Sequence, residues 1–360
     1  MKFSFWLTAA ALAVAGLASI TGPGAREAST TLASANHESL LPTDLAQLRR
    51  DAEAAMAAEA GNRDGEVYAT AVKGTDPDDL ALAIALVDGR VISAGNADTR
   101  FPMMSVSKPF TYALALEQHG VDFMIDRIGV SATGFPYNAV AAGAVRRTSE
   151  QNPLVNAGAI ATHGCIAGET SADKIDAVVE LYSRMANRHL SIEAAWRVPP
   201  RALTYTLAYQ MKAAGRLKGD VDDIADRYLK SNIVAVTAAD LAMMGATLAS
   251  GGLQPQSGER ILKSETVRTV LAVMVIAGMY EESGLWWTRV GVPAKSGVSG
   301  AILAVVPGWG AIAAYSPRLD KTGNSVRGAL IIRELVDRWN LHSIDRLLKP
   351  DSGTTIAPPS

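Results

Sequence analysis

Ser105 and Lys108 lie three positions apart in the 360-residue chain and form a Ser-x-x-Lys motif. If a helix begins near Ser105, the Ser105 hydroxyl and the Lys108 amine lie on the same face of that helix. The positive end of the helix dipole then favours a developing oxyanion. A lysine that loses water in such a place gives up its proton more readily and can act as a base for the hydroxyl. The motif alone is weak, because ordinary composition produces roughly one or two copies by chance in a chain of this length.

A second motif, Lys295-Ser296-Gly297, stands before an apolar run from Val298 to Val306 that predicts a β-strand. Enzymes of the penicillin-binding class carry a Lys-Thr-Gly or Lys-Ser-Gly strand beside a Ser-x-x-Lys nucleophile. Glycine at that edge lets a substrate approach the backbone, and the next amide can donate into an oxyanion hole. The two motifs in this order favour a serine nucleophile over a loop with a solvated lysine.

The elements that must position these motifs alternate between strand and helix patterns. The predicted elements are a helix from Pro42-Thr43-Asp44 to about Ala60, a hairpin over 80–92, a helix from near Ser105 to Gly120, a mostly helical region over 156–250, strands at 298–306 and 311–315, and a helix over 326–340. Strands at both ends of the sequence predict one sheet built from distant segments, with a helical cluster beside it. The site should lie between the sheet and this cluster.

The composition argues against a nucleic-acid partner. Hydrophobic residues make up 48% of the chain, and 34 basic residues nearly balance 36 acidic ones without forming runs. This is typical of a globular protein and favours a small-molecule partner. Cys165 is the only cysteine, so no disulfide can form within the chain, and we expect a core residue rather than a nucleophile.

Residues 1–25 have the order of a secretory signal, with Lys2, an apolar stretch from Phe3 to Leu17, and small residues before a turn. About 15 apolar residues are fewer than the roughly 20 that a membrane-spanning helix needs, so a cleaved signal is favoured over an anchor. We therefore expect a secreted or periplasmic protein without a membrane span after cleavage. The remaining predicted parts are a linker over 26–42, a folded domain over 43–345 and a flexible tail over 346–360.

Six segments resemble the signature blocks of the serine-dependent glutaminase family and run in family order from about Tyr68 to Leu341. They are MSVSKPF (104–110), NPLVNAGAI (152–160), ATLASGG (246–252), GMY (278–280), PAKSGV (293–298) and GNSV (323–326). The resemblance implies an α/β fold of the β-lactamase and penicillin-binding type, in which helices flank an antiparallel sheet and form a helical subdomain. It also implies hydrolysis of the glutamine side-chain amide to glutamate and ammonia, with no metal or organic cofactor. Family members commonly form homo-oligomers.

The resemblance also implies roles for individual residues. Ser105 would be the nucleophile, Lys108 would accept its proton, and Tyr280 would share the proton transfer. The amides of Ser105 and Val298 would hold the oxyanion. Family positions that contact the substrate are occupied by Tyr68, Asn156 and Tyr228. An asparagine is also ordinary at a helix cap, and a tyrosine is ordinary in a half-buried core position.

Two positions depart from the family pattern. Where the family carries Glu and, seven residues later, Asn, alignment back from Tyr228 places Arg197 and Thr204. A guanidinium in place of a carboxylate changes attraction for the substrate ammonium into repulsion. Three explanations stay open: the loop is misaligned, the enzyme prefers an amide without a free α-amino group, or the site no longer turns over. Because export is also unusual for the family, an extracytoplasmic amidase acting on peptides or blocked glutamine would fit both departures.

The leading hypothesis is a Ser-Lys amidohydrolase, most specifically a glutaminase. A penicillin-binding protein or β-lactamase shares the nucleophile and the Lys-Ser-Gly strand, but the asparagine block and the Gly-Met-Tyr block belong to glutaminases. A catalytically silent binding protein is a third hypothesis. Arg197 and Thr204 favour it, whereas the complete set of catalytic residue types argues against it.

Overall fold

The apolar runs near the two ends of the sequence pair with each other in one five-stranded antiparallel sheet, in the order β3-β2-β8-β7-β6. The computed structural model describes residues 41–68, 75–139, 151–196 and 201–348. The strands are β1 (Glu66–Val67), β2 (Ala81–Leu86), β3 (Val91–Gly95), β4 (Phe101–Pro102), β5 (Ala235–Val236), β6 (Ala294–Gly297), β7 (Ala301–Val306), β8 (Gly310–Tyr315) and β9 (Arg318–Leu319). Two short pairs, β1 with β9 and β4 with β5, lie beside the main sheet.

Helices supply the remaining layers. They are α1 (Leu45–Glu59), α2 (Lys108–His119), α3 (Val121–Ile128), α4 (Asn156–Cys165), α5 (Ser171–Ala186), α6 (Arg201–Ala213), α7 (Val221–Asn232), α8 (Ala238–Ala249), α9 (Ser264–Ala277), α10 (Ser283–Arg289), α11 (Val326–Arg338) and α12 (Ser343–Leu348), with two 3₁₀ turns, η1 (Met104–Ser107) and η2 (Tyr280–Glu282). Within the described ranges, no helix combines the length and apolarity that a membrane crossing requires.

The two faces of the sheet differ in the size of their side chains. On β2 the alternating pattern of a strand sends alanines to one core and Leu82, Ile84 and Leu86 to the other. Helix α8 packs on the alanine face so closely that a Cβ at Gly245 would lie 2.6 Å from the Cβ of Ala311. Helices α1 and α11 cover the face with large side chains. The sheet is therefore buried on both sides and forms a rigid support for the strand β6 at its edge.

Most of the predicted elements are confirmed. Helix α1 begins after the cap Asp44, the β2–β3 hairpin turns at Asp88-Gly89, and Thr237 caps α8 through a reciprocal hydrogen-bond pair with Asp240. An antiparallel sheet flanked by helices, with a helical cluster over 156–250, is the predicted α/β architecture.

The predicted strand over 298–306 is confirmed from Ala301 onward, but its first three residues are wrong. The Lys-Ser-Gly motif itself forms β6, the chain turns over 298–300, and β7 begins only at Ala301. Gly300 has a φ of 101°, and a Cβ there would lie 2.3 Å from the carbonyl oxygen of Ser316. Only glycine fits such a position, so it forces the hairpin inside what is otherwise a continuous apolar run.

The ends of the predicted domain differ slightly from the structure. The indole of Trp309 donates to the carbonyl oxygen of Pro42 at 2.8 Å, so the last residue of the predicted linker belongs to the fold. Helix α12 continues to Leu348, inside the predicted tail. The predicted signal, the linker up to residue 40 and the tail from residue 349 lie outside the described residues.

Candidate active site

The predicted nucleophile Ser105 lies in η1, which continues directly into α2. The preceding residue, Met104, has a φ of 47°, a left-handed backbone that non-glycine residues seldom adopt. This backbone turn places Ser105 just before the N-terminus of α2. Its side chain is mostly buried but lines a cavity. The sequence prediction of a serine at the start of a helix is therefore confirmed.

Lys108 is the first residue of α2 and is buried. Its Nζ donates to Oδ1 of Asn156 at 2.6 Å, and the same oxygen accepts from the hydroxyl of Tyr228 at 3.2 Å. Burial lowers the pKa of Lys108 from its ordinary 10.5 to about 7. Near neutral pH a substantial fraction of this amine is therefore unprotonated. Among the described residues the only hydrogen bond between Lys108 and Ser105 runs from the backbone amide of Lys108 to the carbonyl oxygen of Ser105, and none joins the amine to the hydroxyl.

The opposite wall of the site is strand β6, which runs directly beside η1. A Cβ at Gly297 would lie 3.1 Å from the carbonyl oxygen of Met103 and 3.3 Å from the amide nitrogen of Val106. The missing side chain lets strand and turn approach closely, so Ser105 and Val298 line one cavity of about 240 Å³. The predicted pair of oxyanion donors is thus brought to the same space.

A second buried lysine, Lys295, lies on this wall with no exposed surface. Its Nζ donates to the carbonyl oxygens of Gly278, at 3.0 Å, and Ser296, and it lies 4.3 Å from the ring centroid of Tyr280. Burial lowers the pKa of Lys295 well below its ordinary range, and the nearby Lys108 lowers it further. The sequence marked this lysine as part of a motif, but it gave no sign that the amine is enclosed by backbone carbonyls.

Tyr280 begins η2 and has a φ of 55°, so its backbone is left-handed like that of Met104. Its side chain is buried, and its hydroxyl has no hydrogen-bond partner of ordinary geometry among the described residues. Burial raises the pKa of Tyr280 well above 10, and the side chain of Ser105 offsets part of that rise. The phenol therefore stays protonated at neutral pH, and Tyr280 is not among the described residues that line the 240 Å³ cavity.

The other predicted contact residues also meet at the 240 Å³ cavity. Its lining includes Tyr68, Asn156, Thr204 and Tyr228. Thr204 stands on α6, so one of the two divergent positions faces the site. Arg197 lies outside the described residues.

Tyr137 is a site residue that the sequence reasoning missed. Its ring packs against that of Tyr280 with the centroids 4.2 Å apart and the planes tilted by 33°, and its carbonyl oxygen accepts from the amide of Asn156 at 3.0 Å. It therefore supports residues on both sides of the cavity. No motif pointed to it, because it follows a Gly-Phe-Pro loop whose position is set only by the folded chain.

A larger cavity of about 790 Å³ adjoins the first, and four residues line both. The shared residues are Tyr68, Tyr137, Asn138 and Val298. The outer cavity adds three carboxylate side chains and one amine, those of Glu66, Glu281, Asp320 and Lys321. The site therefore has an uncharged inner chamber, as far as its described lining goes, and an acidic entrance.

An antiparallel sheet flanked by helices, with a Ser-x-x-Lys helix start beside a Lys-Ser-Gly strand, is the arrangement of β-lactamase-like hydrolases. The sequence model of the family described as Glutaminase matches residues 66–344. The chain belongs to the glutaminase family and is a hydrolase of the glutamine side-chain amide. The resemblance predicted from the motifs is confirmed.

Individual relatives agree with this assignment. A glutaminase of Corynebacterium efficiens is 40% identical over 286 residues, which cover 77% of this chain and 67% of the relative. A glutaminase of Colwellia psychrerythraea is 40% identical over 274 residues, covering 75% and 88%. Among solved structures, the probable glutaminase ybaS has a TM-score of 0.78 at 34% identity, covering 83% of this chain and 99% of its own. Mglu in its glutamate form has a TM-score of 0.75 at 36% identity, covering 83% and 69%.

Proposed function

We propose that this protein hydrolyses L-glutamine to L-glutamate and ammonia through an acyl-enzyme on Ser105, with Lys108 as the base. One observation carries the proposal: a buried amine with a pKa of about 7 lies one helical turn from a serine that lines a cavity with Val298. A base whose pKa is near the operating pH is unprotonated in a large fraction of the molecules and still binds a proton strongly enough to remove it from the nucleophile.

Acylation follows from these positions. Neutral Lys108 takes the proton of the Ser105 hydroxyl, and Oγ bonds to the carboxamide carbon. The oxygen that becomes negative faces the amides of Ser105 and Val298, which stabilise it by hydrogen bonding. The Tyr280 hydroxyl donates its proton to the amide nitrogen, the carbon–nitrogen bond breaks, and ammonia leaves. The Lys108 ammonium then returns a proton to the Tyr280 oxygen, so both groups regain their starting states.

Deacylation uses the same base on water. Lys108 takes a proton from a water molecule, whose oxygen attacks the ester carbon, and the oxyanion again faces the two amides. The bond to Oγ then breaks, and Lys108 returns the proton to Ser105. Asn156 supports both steps, because its Oδ1 accepts from the Lys108 amine and leaves the nitrogen lone pair free for the proton.

The direct test is ammonia release from L-glutamine by the purified protein and by Ser105→Ala. We expect the variant to lose about 10³-fold or more of kcat, because the covalent route is gone. Ser107→Ala is the matched control from the same motif, since the Ser107 hydroxyl donates to the carbonyl oxygen of Met104 rather than facing the cavity. Turnover in Ser105→Ala equal to that of the parent would exclude the acyl-enzyme.

We also propose that residues 1–25 direct export and that the protein assembles as a homo-oligomer. The order of charged, apolar and small residues supports the first point, and family habit supports the second. N-terminal sequencing of protein recovered outside the cytoplasm tests export, and an intact Met1 there would contradict cleavage. Light scattering of the purified protein tests assembly, and a monomeric mass would contradict it.

A further inference from the structure

A loop over 320–324 connects β9 to α11 beside the site, and the proposed chemistry does not use it. Both ends of the loop are fixed. Leu319 forms an isolated bridge with Ser325, and the Ser325 hydroxyl donates to the carbonyl oxygen of Ser316 at 2.7 Å. The loop also contains the first two residues of the Gly-Asn-Ser-Val block. Its path between the fixed ends is set from within.

Most hydrogen bonds inside the loop converge on one carboxylate oxygen. Oδ1 of Asp320 accepts from three successive backbone amides, those of residues 322–324, at 2.8–3.0 Å. It also accepts from the Thr322 hydroxyl at 2.7 Å. The amide of Asp320 in turn donates to the carbonyl oxygen of Asn324 at 2.8 Å. If Oδ1 is removed, three amides lose their acceptor at once, which favours a different loop conformation.

Gly323 is the loop residue that faces the reacting groups. Its φ of 97° is left-handed and favours glycine. A Cβ here would lie 3.5 Å from a ring carbon of Tyr280 and 3.6 Å from a side-chain carbon of Val298. These are ordinary van der Waals distances, so the glycine borders both residues with space for a methyl group between them. The Nδ2 of Asn324 also donates to the carbonyl oxygen of Met279, the residue before Tyr280, at 3.5 Å.

We propose that Asp320 is a positioning residue for the reaction. It folds the 320–324 loop against the Tyr280 ring and Val298, and so keeps the phenol where it donates to the leaving nitrogen. The inference rests on the proposed function, because it assumes that Tyr280 supplies this proton. In this role Asp320 touches no reacting atom, and it acts as a hydrogen-bond acceptor rather than as a charge. A displacement of about 1 Å in a reacting group can cost on the order of 10²-fold in rate.

Two substitutions separate the acceptor from the charge. Asp320→Asn keeps an oxygen that can accept the same four hydrogen bonds, so we expect kcat/KM for L-glutamine within about threefold of the parent value. Asp320→Ala removes this oxygen, and we expect a fall of about 30- to 100-fold, mainly in kcat. Asp88→Ala is the matched control and should leave kcat/KM unaffected. The Asp88 carboxylate accepts from the Arg90 amide in the β2–β3 turn, at the opposite edge of the sheet from β6.

A second substrate separates a misplaced proton donor from a general loss of folded protein. L-Glutamic acid γ-methyl ester has the charges and chain length of glutamine, but methoxide leaves with much less need of a proton than an amide nitrogen does. In Asp320→Ala we expect kcat/KM for the ester to fall only about threefold, measured as glutamate formation. Gly323→Ala strains the same loop and should show the same difference between the two substrates.

Equal losses for both substrates in Asp320→Ala would indicate a smaller fraction of active protein and would overturn the inference. A loss in Asp320→Asn as large as in Asp320→Ala would also overturn it, because the charge would then be the required feature. If the unaltered protein does not cleave the ester, the recovery in Asp320→Asn decides alone. If it forms no glutamate from L-glutamine, the proposed function itself fails. Parental turnover of glutamine in Asp320→Ala removes the role of Asp320 only.

Discussion

The two buried lysines of the site, Lys108 on the helix wall and Lys295 on the strand wall, are similarly buried but have different hydrogen-bond partners. Both are almost completely enclosed, and burial lowers the pKa of each. Lys108 donates to the side chain of Asn156, whereas Lys295 donates to two backbone carbonyls. The main-chain carbonyls are fixed by the fold, whereas the Asn156 oxygen belongs to a side chain that also accepts from Tyr228. We therefore expect Lys295 to hold strand β6 and Tyr280 in position, and Lys108 to exchange a proton with the nucleophile.

The largest effect is expected from Lys108→Met. Loss of the base should lower kcat for L-glutamine by about 10³-fold or more. The same change should raise the free energy of unfolding by on the order of 2 kcal/mol at pH 7, because it removes a costly buried amine. Ammonia release and urea denaturation measure the two effects, with the exposed Lys263→Met as control.

The gain in stability should depend on pH in a defined direction. The folded pKa of Lys108 is about 7, below its ordinary 10.5. Between these values the unfolded chain binds a proton that the folded chain does not, so the parent becomes more stable as pH rises. The advantage of Lys108→Met is therefore greatest near and below pH 7 and disappears toward pH 10.5. A gain that is constant over this range would contradict the assigned burial cost.

A smaller effect on turnover is expected from Lys295→Met. The carbonyl oxygen of Ser296 loses a donor, the carbonyl oxygen of Gly278 loses one of two, and the ring of Tyr280 loses the amine near its face. We expect kcat for ammonia release from L-glutamine to fall about 10- to 100-fold, because strand β6 and Tyr280 lose this support. A variant with the kcat of the parent would contradict a positioning role for Lys295.

The smallest effect is a shift of the pH profile in Asn156→Asp. In the parent, kcat/KM should rise with pH and level off above about 7, as Lys108 loses its proton. A carboxylate at 156 would favour the ammonium form of Lys108, so the rise should move to higher pH and activity at pH 7 should fall a few fold. Asn138→Asp, at the cavity but without a hydrogen bond to Lys108, is the control. If kcat/KM of Asn156→Asp rises over the same pH range as in the parent, the rise reports the titration of a group other than Lys108.

The sequence predicted those parts of the fold whose signals are local. Helix α1 and the β2–β3 hairpin follow from caps, turns and periodicity, all of which involve residues near one another in the chain. The hairpin at Gly300 was missed because the constraint comes from the carbonyl oxygen of Ser316, on the far side of a paired strand. A run of apolar residues contains no information about which backbone will lie against it.

The same limit applies to the site. The motifs placed Ser105, Lys108 and Val298 together, because the spacing of a helix and the edge of a strand restrict where they can be. The role of Tyr137 and the enclosure of Lys295 depend on loops and carbonyls that meet only after folding. The contacts of Tyr137 and Lys295 are set by tertiary packing, and residue types alone do not reveal them.

The left-handed backbones of Met104 and Tyr280 have a consequence for heat resistance. Each such residue costs roughly 1–2 kcal/mol, and neither lies in the sheet: Met104 precedes the proposed nucleophile, and Tyr280 is the proposed proton donor. Relaxation of either turn releases this energy without breaking a single strand pair. On warming, turnover should therefore disappear several degrees before the circular dichroism of the sheet and helices does, and the loss should reverse on cooling if it is halted in that interval.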